Sequence, residues 1–157
     1  MILRIGFLGI LFLGVLGAQK YNGPRPPKPD VAYLLHADNL VETEIMEAKE
    51  EKRKEDIAYV VDKASSTAKT PLAGPKFLFQ AEKLAADKLQ LYRFDVKNGR
   101  REVFFSHKGK DSARPRRIEV APLGGGLFKI EVDESLENGE YGLSPEGSNI
   151  VFCFQVY

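Results

Sequence analysis

SLENGEYGLSPEGSNIVFCFQVY, residues 135–157, contains two turn signals and ends on a long apolar run. The pair Asn138-Gly139 predicts a turn, after which Tyr141 and Leu143 share one face of a strand. Following a second turn in SPEGSN, the last strand is apolar on both faces. One face carries Ile150, Phe152, Phe154 and Val156, and the other carries Val151 and Cys153. A strand of this kind is covered on both sides, so the pattern predicts a terminal strand inserted between neighbours in a β-sheet core.

The placement of Tyr141 just after a turn, in the pattern Leu136-x-x-Gly139-x-Tyr141, resembles the tyrosine corner of immunoglobulin-like sandwiches. There the ring packs in the core and its hydroxyl bonds to the backbone a few residues upstream. The ending GEYxLxP…VFCFxV is also similar to the C terminus of a group of uncharacterised exported bacterial proteins, with Gly142 where Ala is expected. This resemblance implies a fold and brings no functional residue. The chain has no Trp and only one Cys, so kinship with antibody domains is not supported.

Short apolar runs separated by turn residues fill the rest of the chain. Aromatic and β-branched residues dominate these runs, which favours a sandwich over alternating strands and helices. We therefore predict an all-β fold, an antiparallel immunoglobulin-like β-sandwich of about 8–10 strands. The predicted strands are 31–36, 40–46, 57–62, 76–80, 88–96, 101–107, 116–121, 127–133, 140–144 and 149–156.

Two hairpins are predicted from their turns. Asn98-Gly99 favours a two-residue type I′ turn, which would oppose Val96 to Arg101, Asp95 to Glu102 and Phe94 to Val103. The apolar face of that hairpin is then Tyr92, Phe94, Val96, Val103 and Phe105. The like-charge pair Asp95–Glu102 needs compensation from neighbouring basic side chains. The second hairpin turns at Gly124–Gly126, where the missing Lys-Ser/Thr pair and the following strand argue against a phosphate loop.

Two stretches have weak patterns. In residues 42–56 we predict a strand to about residue 48 and then a charged, solvated turn, with a short helix as the alternative because Glu, Lys and Ala favour helices. Residues 63–75 are predicted to form a long loop.

The N terminus predicts export. Arg4 precedes the uncharged stretch IGFLGILFLGVL and small residues at Gly17 and Ala18, as in a secretory signal peptide. The stretch is shorter than the roughly 20 residues that span a bilayer. We predict a signal peptide over 1–18, a Pro-rich leader over 19–30 and a β-sandwich domain over 31–157, located in the periplasm, in the cell envelope or outside the cell. An uncleaved N-terminal anchor is the alternative, and it is the only membrane contact expected.

Composition excludes several function classes. Removal of residues 1–18 takes away one Arg and no acid, so the formal net charge of +1 falls to zero, which gives no reason to expect nucleic-acid binding. The two histidines, His36 and His107, have no short-range metal-ligand partners, and no nucleophile elbow occurs. Cys153 lies in an apolar run and is predicted to be a buried, inert thiol. No catalytic residue, metal site or cofactor is predicted.

The charge distribution suggests one binding surface. Residues 97–117 carry eight basic side chains against Glu102 and Asp111, whereas residues 130–157 carry six acids and no base. Either the two segments neutralise each other, or a basic patch binds an acidic partner such as envelope polysaccharide, phosphate groups or another protein. The patch residues would be Lys108, Lys110, Arg114, Arg116 and Arg117.

These observations predict an exported, non-enzymatic β-sandwich that acts as a binding or structural module of the bacterial envelope. The alternative is a small secreted hydrolase on the same scaffold, because fold does not decide function.

Overall fold

A computed structural model describes residues 20–157, so the predicted signal peptide lies outside the described residues. The described chain is all-β, with two sheets packed together as a β-sandwich. One short 3₁₀ helix, Ala86–Lys88, interrupts the strands. Within residues 20–157 there is no helix of the length and hydrophobicity needed to cross a membrane.

The described chain has thirteen strands, more than expected, because the predicted run 40–46 divides into two strands and two further strands form in the stretches predicted as a charged turn and as a long loop. In chain order they are β1 (Ala32–His36), β2 (Asn39–Glu42), β3 (Glu44–Glu47), β4 (Lys49–Arg53), β5 (Asp56–Val61), β6 (Lys69–Thr70), β7 (Lys76–Gln80), β8 (Leu89–Lys97), β9 (Arg100–Phe105), β10 (Ile118–Gly124), β11 (Leu127–Val132), β12 (Gly139–Pro145) and β13 (Ile150–Val156).

The first sheet has five strands in the order β10-β11-β7-β1-β2, all antiparallel. Its inner face packs on the second sheet and forms the main core. There Phe77 meets Phe154 edge to face with ring centroids 5.0 Å apart, and Phe79 meets Phe152 at 6.1 Å. All four rings are buried, so burial of aromatic surface between the two layers is a main source of stability.

The second sheet rolls up and closes on itself. Its order is β3-β13-β12-β8-β9-β5-β4, with the short β6 pairing in parallel with β13. The end strands β3 and β4 are consecutive in the chain, separated only by Ala48, so the segment 44–53 pairs with β13 through its first half and with β5 through its second half. This closure gives the sheet an interior. A second apolar cluster fills it, formed by Ala48, Val61, Phe94, Val103, Val151 and Cys153 with Met46, Tyr59, Tyr92 and Phe105 at its margin.

The terminal strand occupies the place that the sequence predicts. β13 lies between β12 and β3, with Phe152 and Phe154 facing the first sheet and Val151 and Cys153 facing the closed interior. The Tyr141 ring is 1% exposed and stacks on Phe154, and its hydroxyl donates a 2.8 Å hydrogen bond to the Glu137 carbonyl. The predicted corner contact of Tyr141 is therefore confirmed.

The residue after that tyrosine is glycine for a steric reason. A Cβ built on Gly142 would lie 2.5 Å from Val151 Cγ1 and 2.9 Å from the Phe94 ring. Carbon atoms cannot approach so closely, so the Ala expected at this position does not fit inside the closed sheet.

Both predicted hairpins form. Asn98 and Gly99 have positive φ, and the pairs Asp95–Glu102, Val96–Arg101 and Lys97–Arg100 have the predicted register. The pairing of β8 with β9 ends there, so the predicted pair Phe94–Val103 is not part of the ladder, because residues 113–116 enter between the two strands. The amide of Ala113 donates to the Phe104 carbonyl, and that of Arg116 donates to the Leu91 carbonyl.

The predicted turn in the charged run after residue 48 is wrong, and so is the alternative helix. Residues 49–53 form β4, and the turn comes at Lys54-Glu55. The charges are tolerated in a strand because they pair with β9: Arg53 donates to Glu102 at 2.7 Å, and Arg100 donates to Glu51 at 2.9 Å. Arg53 thus supplies most of the compensation that the Asp95–Glu102 pair requires, and its hydrogen bond holds the pKa of Glu102 below the ordinary value.

The end of the Pro-rich segment is fastened to the first sheet and to the loop that follows β7. Lys28 pairs with Glu42 of β2 at 3.0 Å, the amide of Asp30 donates to the Gln80 carbonyl of β7, and the Asp30 carboxylate accepts from the backbone N–H groups of residues 82–84. Burial raises the pKa of the Asp30 carboxyl, but the three backbone hydrogen bonds outweigh this and leave that pKa below its ordinary value.

Candidate functional site

One end of the closed sheet opens into a cavity of about 430 Å³. The volume lies in the range of ligand pockets. We call it the aromatic cavity. Its lining comes from the strands of the closed sheet and from the β12–β13 turn: Ala48, Tyr59, Gln90, Tyr92, Phe94, Val103, Phe105, Gly142, Ser144, Pro145, Glu146, Gly147, Ser148, Asn149 and Val151.

Three half-buried rings line the aromatic cavity. Phe105 of β9 lies between Tyr59 of β5 and Tyr92 of β8, with ring centroids 5.8 and 5.5 Å away and planes nearly perpendicular. Such edge-to-face contacts match the positive edge of one ring to the negative face of the next. The rings therefore hold one another in place, which lowers the ordering that a ligand must impose.

Polar groups surround the rings at the rim. The Tyr92 hydroxyl donates a 3.0 Å hydrogen bond to Gln90 Oε1, which leaves the amide NH₂ of Gln90 as a donor. Ser144, Ser148 and Asn149 add hydroxyl and amide groups. Burial raises the pKa of the Tyr92 hydroxyl above its ordinary value.

The other end of the closed interior holds a buried ion cluster, formed by Arg101, Glu44 and Glu140. The Arg101 side chain is fully buried, and the two carboxylates are 9% and 4% exposed. Arg101 Nη2 donates to Glu44 Oε1 at 2.8 Å, whereas Arg101 Nη1 stands 3.7 Å from Glu140 Oε2 without a hydrogen bond in the described chain. One cation thus faces two anions in a low-dielectric interior, where charge interactions are strong.

The buried ion cluster also fastens the loop between β5 and β6 across this end. Arg101 donates to the carbonyls of Asp62 and Lys63, at 3.0 and 2.9 Å. Glu140 accepts a 3.0 Å hydrogen bond from the amide of Ser66, which lies in the same loop. The loop predicted over residues 63–75 therefore has a structural role at its start, because its backbone closes one end of the sheet.

A second cavity of about 670 Å³ lies where β8 and β9 separate. Its charged lining is mixed, with Arg93, Arg114 and Arg116 against Asp95, Asp111 and Glu140. Two of these arginines already have carboxylate partners, since Arg93 donates to Glu137 at 2.8 Å and Arg116 to Glu134 at 3.2 Å. The balance of charge gives this cavity no clear preference for anions or cations.

The predicted basic patch divides into two parts. Arg116 and Arg117 lie beside Glu134, at 3.2 and 3.9 Å, so here the basic and acidic segments neutralise each other. Lys108, Lys110 and Arg114 are exposed on the β9–β10 connection and form no ion pair within residues 20–157. Only Arg114 and Arg116 of the five also line the second cavity.

The two histidines and the cysteine take structural positions. His36 Nε2 lies 2.9 Å from the buried Thr70 hydroxyl, and the amide of His107 donates to Asp56. Neither histidine lines the two cavities. Cys153 is fully buried, and burial raises the pKa of its thiol to about 12, so it is an inert thiol as predicted.

Neither the buried ion cluster nor the aromatic cavity is predicted from the sequence. The signal for Arg101 was present, since strand alternation from the Asn98-Gly99 turn places it on the face of Val96 and Val103. The aromatic cavity had a partial signal, because Tyr92 and Phe105 were assigned to the same apolar face. Tyr59 comes from a distant part of the chain and could not be joined to them.

Comparison of the chain with protein-family models, with curated proteins and with solved structures gives no significant match.

Proposed function

We propose that the protein is an exported, non-enzymatic binding module of the bacterial envelope and that its ligand enters the aromatic cavity. The observation that carries the proposal is the opening itself: half-buried rings and polar groups line a cavity at one end of a sheet whose other end is closed. Concave sites of this composition are typical of small-molecule binding. The signal-peptide pattern of residues 1–18 and the resemblance of the C terminus to exported proteins support the location.

The cavity can be tested without knowing the ligand. Ser144 lies half-buried in the lining, so Ser144→Phe places a ring inside the aromatic cavity. Ser135→Phe makes the same change at an exposed surface position and serves as the control. The protein recovered from exporting cells is mixed with the low-molecular-mass fraction of a bacterial envelope extract, and aromatic NMR signals are followed.

We expect shifts confined to the cavity rings in the wild type and in Ser135→Phe, and none in Ser144→Phe. Cavity signals that stay unchanged in all three proteins would show that the aromatic cavity is not the binding site. N-terminal sequencing of the exported protein tests the location separately, with cleavage near residue 18 as the expected result.

A second surface has its own observation in its favour. Lys108, Lys110 and Arg114 carry three positive charges that the described chain leaves without ion partners, and we propose that they bind an acidic envelope component. Their replacement by Glu should abolish binding to an acidic polysaccharide such as polygalacturonate, and added salt should weaken the wild-type binding.

The matched control for the basic surface reverses three exposed lysines elsewhere, Lys52, Lys69 and Lys83. If this control loses polygalacturonate binding to the same degree, the attraction reflects total charge and the proposed surface has no special role.

A further inference from the structure

We propose that the ligand of the aromatic cavity is a neutral sugar ring, an inference that rests on the proposed binding function. The cavity offers what such a ring requires: aromatic faces for its C–H groups, amides and hydroxyls for its own hydroxyls, and little charge.

The aromatic rings provide the apolar contact. A pyranose ring turns a set of C–H groups, which carry partial positive charge, toward one side. The negative face of an aromatic ring attracts them. Tyr59, Tyr92 and Phe105 are half-buried, so each retains surface for contact while its orientation is fixed by its neighbours. Contacts of this kind favour a flat saturated ring over an irregular ligand.

The rim provides the polar contact. Gln90, Ser144, Ser148 and Asn149 carry both donors and acceptors, and sugar hydroxyls also donate and accept. An acyl chain in the same place would leave these groups without partners, which costs free energy when they lose water. The free amide NH₂ of Gln90 lies next to the Tyr92 hydroxyl, so one hydroxyl of a sugar stacked on Tyr92 would meet it.

Charge argues for a neutral ligand. Glu146 is the one charged side chain among the described residues of the lining, and it is 69% exposed with Lys88 at 3.9 Å. Anionic ligands such as phosphates and carboxylates are held by Arg or Lys, and the lining residues that the structure describes include neither. A quaternary ammonium ion needs a desolvated site against aromatic faces, whereas this carboxylate stands in solvent on the turn.

Shape argues against a peptide. A proline-rich segment binds along an open aromatic groove as an extended helix. The aromatic cavity is instead a recess at the end of a closed sheet, walled on one side by the β12–β13 turn at residues 145–149.

The test is an NMR titration of the protein recovered from exporting cells with a panel of neutral disaccharides, including cellobiose, lactose and di-N-acetylchitobiose. Lauric acid, tetramethylammonium chloride and a peptide with the sequence of residues 21–30 are titrated in parallel. We expect at least one sugar to shift the ring signals of Tyr59, Tyr92 and Phe105 and the side-chain amide of Gln90 in a saturable manner.

Two variants distinguish a sugar from an apolar ligand. Gln90→Leu removes the exposed amide and should weaken sugar binding about tenfold, the equivalent of one good hydrogen bond. Asn22→Leu makes the matching change at an exposed position outside the aromatic cavity and should leave binding unchanged. Phe105→Leu should also weaken sugar binding about tenfold or more, whereas an acyl chain would tolerate it.

The outcomes separate the two proposals. If lauric acid, the ammonium ion or the peptide shifts the ring signals and no sugar does, the ligand class is wrong and the aromatic cavity remains a binding site. If sugars shift signals elsewhere in the protein, the inference is overturned as well. If the envelope extract also leaves the cavity signals unchanged, both proposals fail.

Discussion

Replacement of Arg101 by Met tests whether the buried ion cluster holds the closed sheet together. Arg101 is fully buried, and its removal leaves the Glu44 and Glu140 carboxylates, which are 9% and 4% exposed, without their cationic partner. Two backbone carbonyls also lose their donor. Breaking a buried ion pair by removal of one partner costs about 3–5 kcal/mol. We therefore expect Arg101→Met to lower the free energy of unfolding by about that amount.

The neighbouring residue provides the control. Arg100 lies on the opposite face of β9, where its side chain is 42% exposed and pairs with Glu51, itself 36% exposed. Exposed pairs contribute about 0–1 kcal/mol, so Arg100→Met should change stability little. A triple variant, Arg101→Met with Glu44→Gln and Glu140→Gln, removes the uncompensated charge and should recover at least half of the loss.

Urea denaturation followed by far-UV circular dichroism at pH 7 measures all of these changes. With a slope of about 2 kcal/mol per molar urea, a typical value for a small domain, a loss of 3–5 kcal/mol moves the midpoint by about 2 M. Equal midpoints for Arg100→Met and Arg101→Met would refute the reasoning. So would a triple variant less stable than Arg101→Met, because the cost would then not come from unpaired buried charge.

Three further changes test other parts of the structure. Gly142→Ala should destabilise the protein by about 1–3 kcal/mol because its Cβ meets packed side chains, whereas Gly74→Ala, which has open space around it, should have almost no effect in the same denaturation assay. Tyr141→Phe removes the 2.8 Å hydrogen bond of the tyrosine corner and should lower the free energy of unfolding by about 1 kcal/mol. The control Tyr33→Phe removes a longer hydroxyl contact of 3.5 Å and should lower it less. A lower urea midpoint for Tyr33→Phe than for Tyr141→Phe would contradict the assignment of a corner. The pKa of Glu102 is lowered mainly by its hydrogen bond from Arg53, so the ionised carboxylate stabilises the fold above the unfolded pKa of about 4.5, and that contribution is lost as pH falls through the lower folded pKa. Glu102→Gln should therefore reduce the rise in the free energy of unfolding between pH 3 and pH 5. An unchanged pH profile would show that the Arg53–Glu102 pair contributes nothing.

The parts of the fold that the sequence predicts are those set by local rules. Alternation of apolar residues locates the strands, and Asn98-Gly99 sets the register of its hairpin because only a few turn types accept positive φ at both positions. The terminal strand was recognisable because it is apolar on both faces. These features depend on residues within a few positions of one another.

The parts that the sequence did not predict depend on distant partners. Residues 49–53 look like a solvated charge run, and they form a strand because Glu51 and Arg53 meet β9, 49 residues away. Closure of the second sheet follows from the longer segment 44–53, since its first half, β3, pairs with β13 and its second half, β4, pairs with β5. Period-two alternation indicates which face a residue takes and contains no information about which strand lies beside it. The aromatic cavity exists only after closure, so it could not be predicted from the chain.

The two ends of the closed sheet share strands. β9 carries Arg101 into the buried ion cluster and Phe105 into the aromatic cavity, four residues apart, and β5 carries Tyr59 into the same cavity. If the buried ion cluster fixes the positions of β9 and β5 in the closed sheet, then loss of Arg101 should disturb the contacts among the aromatic side chains at the far end. Arg101→Met would then weaken cavity binding although no atom of Arg101 lines the aromatic cavity. A folded Arg101→Met protein with unchanged ligand affinity would show that the two ends are independent and that the cluster only closes the sheet.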